Sequence, residues 1–183
     1  MLLDETFDDA GNLAEWQPLP RGASVDQGFL RVVAGENAGE NVSVTSVPTF
    51  TYSTVEARIR VSEPVTNRFY LGFFSREPWA SESCWLMIEG DRFKFQARRE
   101  NGPVEESSSW PVDAGEDGWH TVKIEWGEKQ IAFFWDGQPC GSITNPASIS
   151  SLPLPVVVDG GDINGQPSQV EVDWIKVSGG ERR

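Results

Sequence analysis

The sequence predicts an all-β protein, an antiparallel jelly-roll sandwich of two curved sheets, on three observations. Ten short segments alternate between apolar and polar residues with the period that β-strands have. Turn-forming pairs such as Gly90-Asp91, Asp136-Gly137 and Asn164-Gly165 separate these segments. No segment shows the spacing of an amphipathic helix, so packed sheets are the arrangement that can bury the apolar faces.

The predicted strands also assign side chains to faces, because successive residues of a strand point to opposite sides of its sheet. In one strand, this alternation directs Trp85, Met87 and Glu89 outward, which is an unusually apolar set for a solvent-facing surface. The strands are predicted at 29–33, 41–47, 55–61, 68–74, 84–89, 92–98, 119–126, 131–135, 154–158 and 170–177.

The length and the cysteine content indicate one domain without a disulfide framework. The chain has 183 residues, enough for a single hydrophobic core, and no repeat or linker divides it. We therefore expect one domain over residues 1–178 and a flexible tail over residues 179–183. Two cysteines are too few for a framework, and we expect Cys84 and Cys140 to be free thiols that face the core.

The charge argues against two classes of partner. The formal net charge is −13, which phosphate backbones and anionic lipids repel, so we expect neither nucleic acid nor membrane as a partner. No signal peptide is visible, which predicts a cytoplasmic protein, or a secreted one if the sequence is a trimmed piece of a longer chain. The single histidine, His120, excludes a multi-histidine zinc centre, and its alternation with Val122 and Ile124 points it into the core.

Several sequence blocks follow one another in a recognisable order. They are LDETFD at 3–8, DQGFL at 26–30, YSTVEARIRV at 52–61, DGWHTVKIEW at 117–126, FFWDG at 133–137, PVVVDGG at 155–161 and VDWIKV at 172–177. In this order the blocks resemble concanavalin A-like jelly rolls, particularly glycoside hydrolase family 16. The resemblance spans nearly the whole chain and implies a carbohydrate site on the concave face of one sheet.

The strand at 83–89 departs from the catalytic pattern of that family. Retaining glucanases of the family carry E-x-D-x-(x)-E on this strand, because their chemistry needs two carboxyl groups about 5 Å apart. Here Trp85, Met87 and Glu89 take the outward positions, so the nucleophile and acid pair is missing. Glu56 and Glu89 on different strands would be about 9.6 Å apart, too far for a retaining pair.

These features predict a non-catalytic, lectin-like domain that binds an oligo- or polysaccharide, with acidic glycans among the candidates. Residues 55–100 hold eight Lys and Arg against seven Asp and Glu, although the chain as a whole is acidic. The arginines would hold the ligand, or they would pair with neighbouring glutamates on a solvated sheet face. Trp85 would stack on a sugar ring. The predicted ligand-binding residues are Glu56, Arg58, Arg60, Arg68, Tyr70, Trp85, Glu89, Lys94, Gln96 and Arg98.

Two alternative functions stay open. The first is a diverged glycoside hydrolase or polysaccharide lyase, in which Tyr70 beside Arg58, Arg60 and Arg68 would be the lyase candidate, without the usual histidine partner. The second is a protein-interaction domain on the same scaffold, which would present an exposed apolar patch without a groove. A glycan site would instead be concave.

The remaining tryptophans are expected to pack rather than to bind. Trp79 and Trp110 lie in loop-like or strand-edge positions from which they could rim a cleft, but packing is the expected role for both. The tryptophans assigned to the framework or the core are Trp16, Trp119, Trp126, Trp135 and Trp174.

The resemblance also implies a structural Ca²⁺ on the convex side. The positions that match the family's ligands are the carbonyl groups of Thr6 and Gly28 and the carboxylate of Asp173. These are all oxygen donors, which suits a hard cation that would tie the N-terminal strand to the C-terminal one. The alternative is that Asp173 only caps strand ends through backbone N–H groups.

Overall fold

The computed structural model describes residues 1–9, 13–34, 41–61, 68–75, 81–112, 117–161 and 168–182, which hold sixteen strands and no helix. It therefore also contains no helix long and apolar enough to span a membrane within those residues. The strands are β1 (Leu3–Glu5), β2 (Ala23–Asp26), β3 (Phe29–Ala34), β4 (Val42–Thr51), β5 (Thr54–Val61), β6 (Arg68–Phe74), β7 (Ser83–Glu89), β8 (Arg92–Arg98), β9 (Val104–Glu106), β10 (Trp110–Pro111), β11 (Trp119–Trp126), β12 (Ile131–Trp135), β13 (Gln138–Ile143), β14 (Leu154–Gly161), β15 (Ser168–Ser178) and β16 (Glu181–Arg182).

The strands form two antiparallel sheets of eight strands each. The sheet that contains β7 runs β10-β8-β7-β6-β14-β4-β16 with β9 paired to β8, and we call it the front sheet. The sheet that contains β5 runs β13-β12-β11-β5-β15-β3-β2 with β1 paired to β15, and we call it the back sheet. This arrangement confirms the predicted all-β jelly-roll sandwich.

The core lies between the two sheets and follows the predicted alternation. Leu86 and Ile88 of β7 and Ile59 of β5 are fully buried in it, whereas their neighbours along each strand point to the outer faces. Aromatic rings bridge the sheets, since Phe95 of the front sheet stacks on Phe133 of the back sheet with ring centroids 4.6 Å apart. Such a pair adds about 0.5–1.5 kcal/mol to the stabilisation from buried area alone.

Alternation locates the long strands well but misses the short ones at the sheet edges. It misses β13 because Pro139 and Gly141 interrupt the pattern, and the pairing of β13 with β12 shifts register beside them. The expected tail at 179–183 also differs, since Glu181 and Arg182 pair with Thr51 and Phe50 of β4. A two-residue strand is too short to leave an alternating signal.

The cysteines and the histidine lie where the sequence indicated. Cys84 and Cys140 are both buried and free, and burial raises the pKa of each thiol. His120 is 3% exposed, and its ring lies 4.5 Å from that of Trp135. Its Nδ1 atom is 2.9 Å from Oδ2 of Asp136, so the hairpin of β11 and β12 closes over a satisfied core histidine.

Candidate functional site

The outer face of the front sheet brings most of the predicted binding residues together. The pairing registers align Arg68 with Glu89, Tyr70 with Met87, and Met87 with Lys94 across β6, β7 and β8. Because neighbouring strands point their aligned residues to the same side, these side chains form one patch. The predicted residues on it are Arg68, Tyr70, Trp85, Glu89, Lys94, Gln96 and Arg98.

The remaining three predicted residues lie on the opposite side of the molecule, which corrects the single-face prediction. Glu56, Arg58 and Arg60 belong to β5, which pairs with β11 and β15 in the back sheet. The core separates their outer face from that of the front sheet. The alternation of a strand shows which of its residues point away from the core, but it does not show which sheet the strand joins. The sequence pattern therefore could not separate the residues of β5 from those of β6, β7 and β8.

The back-sheet arginines form ion pairs across strands. Arg60 donates through Nε to Oε2 of Glu171 at 2.7 Å, and Arg31 donates through Nη2 to Oε1 of the same carboxylate at 3.1 Å. Burial would raise the pKa of Glu171, but these hydrogen bonds outweigh it and hold the pKa below its ordinary value. Arg58 pairs likewise with Asp173. Arg58 and Arg60 thus pair with carboxylates on a neighbouring strand, which is the alternative to ligand binding considered from the sequence.

Trp85 lies on the outer face of the front sheet, as alternation predicts, but it is only 5% exposed. Tyr70 and Phe74 of β6 flank its ring, with centroids 4.7 and 4.8 Å away, and Val157 of β14 completes the cluster. Its indole Nε1 donates to Oε1 of Gln96 at 2.8 Å. Trp85 is therefore packed under its neighbours, and it is not the open stacking platform expected from the sequence.

A glycine explains how this aromatic cluster forms. Gly72 lies opposite Trp85 in the pairing of β6 with β7, and a Cβ atom there would come 2.7 Å from the Cα of Trp85. Only a residue without a side chain leaves room for the indole between Tyr70 and Phe74. The signal was present in the sequence as a glycine between two outward aromatic residues.

The open part of the same face is a pocket of about 340 Å³ beside the aromatic cluster. Strands β7 and β8 supply one side of it, and the segment through β9 to Ser109 supplies the other. Its lining residues are Met87, Glu89, Arg92, Phe93, Lys94, Glu106, Ser107 and Ser109. Sequence reasoning missed the contribution of residues 106–109, because the three residues of β9 are too few for an alternating pattern.

Most charged side chains around this pocket form ion pairs, whereas the guanidinium of Arg92 donates to the hydroxyl and the carbonyl of Ser109. Lys94 Nζ lies 2.8 Å from Oε2 of Glu106, whose Oε1 accepts from Gln96 Nε2 at 2.7 Å. The hydrogen bond from Lys94 holds the pKa of Glu106 below its ordinary value. Arg68 pairs with Glu89 at 2.9 Å. The pocket thus presents donors and acceptors side by side without a dominant charge.

A lyase-like arrangement is not assembled among the described residues. Burial raises the pKa of Tyr70, although the nearby Arg68 acts in the opposite direction, so Tyr70 is a poor base. Arg58 and Arg60 lie on the other sheet, and His120 is in the core.

One buried carboxylate on the front face was not singled out from the sequence. Asp159 of β14 is aligned with Tyr70 and is fully buried. Its Oδ2 accepts a hydrogen bond from the hydroxyl of Ser43 on β4. The aspartate of the PVVVDGG block is the sequence signal that could have found it.

The segments expected to hold Ca²⁺ meet at one corner of the back sheet, where β1 and β3 both pair with β15, and the carboxylate expected there contacts an arginine. Asp173 carries the one carboxylate of the set, and its Oδ2 accepts from Nη1 of Arg58 at 2.7 Å. The carboxylate that a metal would need is thus already paired with a guanidinium group.

The other tryptophans divide between the core and the back face. Packing is confirmed for the buried Trp16, Trp126 and Trp135, and Trp110 stacks on Phe93 with centroids 5.6 Å apart. Trp119 and Trp174 differ from the expectation, since both are half-exposed on the outer face of the back sheet. Arg58 and Arg60 lie over the Trp119 ring, and Lys176 lies over the Trp174 ring. Trp79 lies outside the described residues.

Comparisons with known proteins support the fold. No protein-family model and no curated protein sequence matches the chain. Among solved structures, a Bacillus licheniformis β-glucanase superposes with a TM-score of 0.76 at 16% identity, covering 97% of both chains. The catalytic domain of a Thermotoga petrophila endo-1,3-β-glucanase gives a TM-score of 0.76 at 13% identity, over 98% of this chain and 97% of that one.

A third solved structure, of the Crh5 transglycosylase in complex with NAG, gives a TM-score of 0.78 at 13% identity. The match covers 96% of this chain and 83% of that one. At these identities the likeness concerns the fold. The chain therefore has the concanavalin A-like jelly-roll fold that is found in glucanases of glycoside hydrolase family 16.

Proposed function

We propose that this domain binds a neutral oligo- or polysaccharide, without cleaving it, on the outer face of its front sheet. The observation that carries the proposal is the pocket of about 340 Å³ between β7, β8 and the segment through β9. Its floor includes the apolar Met87, and its walls carry hydroxyl, amino, guanidinium and carboxylate groups. An apolar floor with a few converging polar groups is the usual composition of a small-ligand site. The glucanase fold agrees with this class of ligand.

The balanced charges favour a neutral ligand over the acidic glycan considered from the sequence. Lys94 is neutralised by Glu106, and Arg68 by Glu89. A uronate carboxylate in this pocket would approach Arg92 but also Glu89 and Glu106, and two like charges about 4 Å apart repel by about 1–4 kcal/mol near a surface. A sugar hydroxyl both donates and accepts, so it can bond to Lys94 and Glu106 together.

The absence of cleavage is proposed from the strand at the centre of the site. The outward positions of β7 hold Trp85, Met87 and Glu89, so Glu89 is the one carboxylate that this strand directs outward. Glu89 forms an ion pair with Arg68, and β7 offers no second carboxylate beside it to complete a catalytic pair. The role of Trp85 is to position a pocket residue. Its indole donates to Gln96, whose amide in turn donates to Glu106, so the aromatic cluster orients the Glu106 side chain in the wall of the pocket.

The test is a glycan array followed by calorimetric titration of the best ligand, with laminarin and lichenan oligosaccharides as neutral probes and oligogalacturonate as the acidic probe. Lys94→Ala is expected to raise Kd about 10- to 100-fold, because one hydrogen bond to a charged group is lost. The matched control is Lys123→Ala, which removes a Lys–Glu pair of similar geometry, 2.7 Å to Glu125, from the back sheet. Equal effects of the two variants, or binding of the acidic probe alone, would refute the proposal.

A glycoside hydrolase is the second candidate, and Asp159 is the observation that favours it. This buried carboxylate lies on the same face as Glu89, and one strand, β6, separates the two. Asp159 is aligned through Tyr70 with Met87, two residues from Glu89, so two strand spacings and this offset place the two Cα atoms about 12 Å apart. The two side chains would have to lean toward each other to reach the separation of about 6.5–9.5 Å that inverting enzymes use. A hydrolase would create new reducing ends in a glucan that a binding domain leaves intact.

A further inference from the structure

The corner of the back sheet that holds Asp173 contains an irregularity that determines what this carboxylate contacts. The pairing of β15 with β5 shifts register between Val172 and Trp174, so Asp173 is the residue of a β-bulge. Bulges redirect side chains, and here the carboxylate meets Arg58, whose backbone partner on β15 is Trp174. The fold thus brings an arginine and an aspartate that are 115 positions apart into direct contact.

The Arg58 guanidinium is held from two directions. Its Nη1 donates to Oδ2 of Asp173 at 2.7 Å, and its central carbon lies 4.9 Å from the centre of the Trp119 ring. Arg60 lies over the same ring at 4.7 Å. A divalent cation bound to Asp173 would therefore sit within a few ångströms of one guanidinium and close to a second, and like charges repel at such distances.

The side chains of the N-terminal segment at this corner also form local hydrogen bonds. The register of β1 on β15 aligns Glu5 with Ile175, so Thr6 follows beside the bulge. The Thr6 hydroxyl donates to Oδ2 of Asp8 at 2.7 Å, and Glu5 accepts from the backbone N–H of Phe7. The carboxylates of Glu5 and Asp8 are thus hydrogen-bonded within the N-terminal segment itself.

We propose that the Arg58 guanidinium takes the place of the divalent cation that the fold family implies at this corner. The positive charge that Asp173 needs is then supplied by β5, and the corner is stable without metal. The pair joins two neighbouring strands in the middle of the back sheet, whereas a metal ion would join the N-terminal segment to β15.

The test is a set of thermal melts of the full chain with millimolar CaCl₂ or EGTA, together with a double-mutant cycle. The wild-type Tm is expected to be the same in both conditions. Arg58→Gln should lower Tm by about 1–4 °C, because a partly exposed pair is lost in a domain of this size. Asp173→Asn should cost less in the Arg58→Gln background than in the wild type, because the carboxylate has then already lost its partner.

Lys123→Gln is the matched control, since it removes a cation from the same face without touching Asp173. Its effect should add to that of Asp173→Asn. A Ca²⁺-dependent rise in the wild-type Tm that Asp173→Asn abolishes would overturn the proposal. Additive effects of Arg58→Gln and Asp173→Asn would overturn it as well, because they would mean that the two side chains do not interact.

Discussion

Glu171 is the carboxylate on which the outer face of the back sheet depends most, and Glu171→Gln is the substitution that tests this. The side chain is 7% exposed and accepts hydrogen bonds from Arg31, Arg60 and Gln169. The substituted amide would keep one acceptor oxygen but would turn its N–H₂ group toward a guanidinium group. Two charge-assisted interactions are therefore lost with the negative charge.

The size of the effect follows from these contacts. A hydrogen bond between charged groups contributes about 1.5–3 kcal/mol. Both arginine partners are more than a third exposed, at 36% and 41%, so solvent screening reduces the loss for the pair of interactions to about 2–3 kcal/mol in total. In a domain of this length that corresponds to a Tm about 4–12 °C lower.

The loss of stability caused by Glu171→Gln should also depend on pH, and it should become smaller in acid. Burial would raise the pKa of Glu171, but Arg60 and Arg31 outweigh it and hold that pKa below its ordinary value. A carboxyl group whose pKa is lower in the folded state stabilises the fold fully above its unfolded pKa, and loses that contribution as pH falls through the folded pKa. The difference in stability between wild type and Glu171→Gln should thus be constant down to about pH 5 and shrink below it.

Urea unfolding followed by tryptophan fluorescence, at a series of pH values from about 7 to about 3, measures this difference. Glu125→Gln is the control, because Glu125 forms an exposed pair with Lys123 on the same face and its loss should cost under about 1 kcal/mol. A Glu171→Gln variant as stable as this control, or a stability difference that does not change in acid, would refute the role assigned to Glu171.

Two further expectations concern the front sheet. Gly72→Ala should lower the free energy of unfolding by about 1–3 kcal/mol or more, because the added Cβ would meet the backbone of Cys84 and Trp85, which cannot move aside. Gly137→Ala is the control: a Cβ there meets nothing within 4 Å, so the same thermal melts should show a smaller loss of stability. The purified domain is expected to release no reducing sugar from laminarin or lichenan, because β7 carries Glu89 as its one outward carboxylate; turnover that disappears in Glu89→Gln would make the domain a hydrolase instead.

The outer face of the front sheet shows which parts of the candidate site can be predicted from the sequence. Alternation correctly directed Trp85, Met87 and Glu89 away from the core, and it correctly directed Lys94 to the same side as its neighbours. The pocket next to them depends on Glu106 in the short strand β9, which pairs with β8. A three-residue strand leaves no local pattern, so only its pairing with β8 could reveal this wall of the pocket.

The sequence by itself determined the fold class, the long strands and the side of each strand that faces the core, because these follow from the period of a β-strand and the need to bury apolar residues. Only the tertiary structure decided which strands share a sheet. Because β5 joins the back sheet, Arg58 and Arg60 lie on the outer face of that sheet. Because β6 pairs with β7, Trp85 is buried under Tyr70 and Phe74. Strand pairing joins residues far apart in the chain, and its energy depends on contacts that exist only once both sheets have formed.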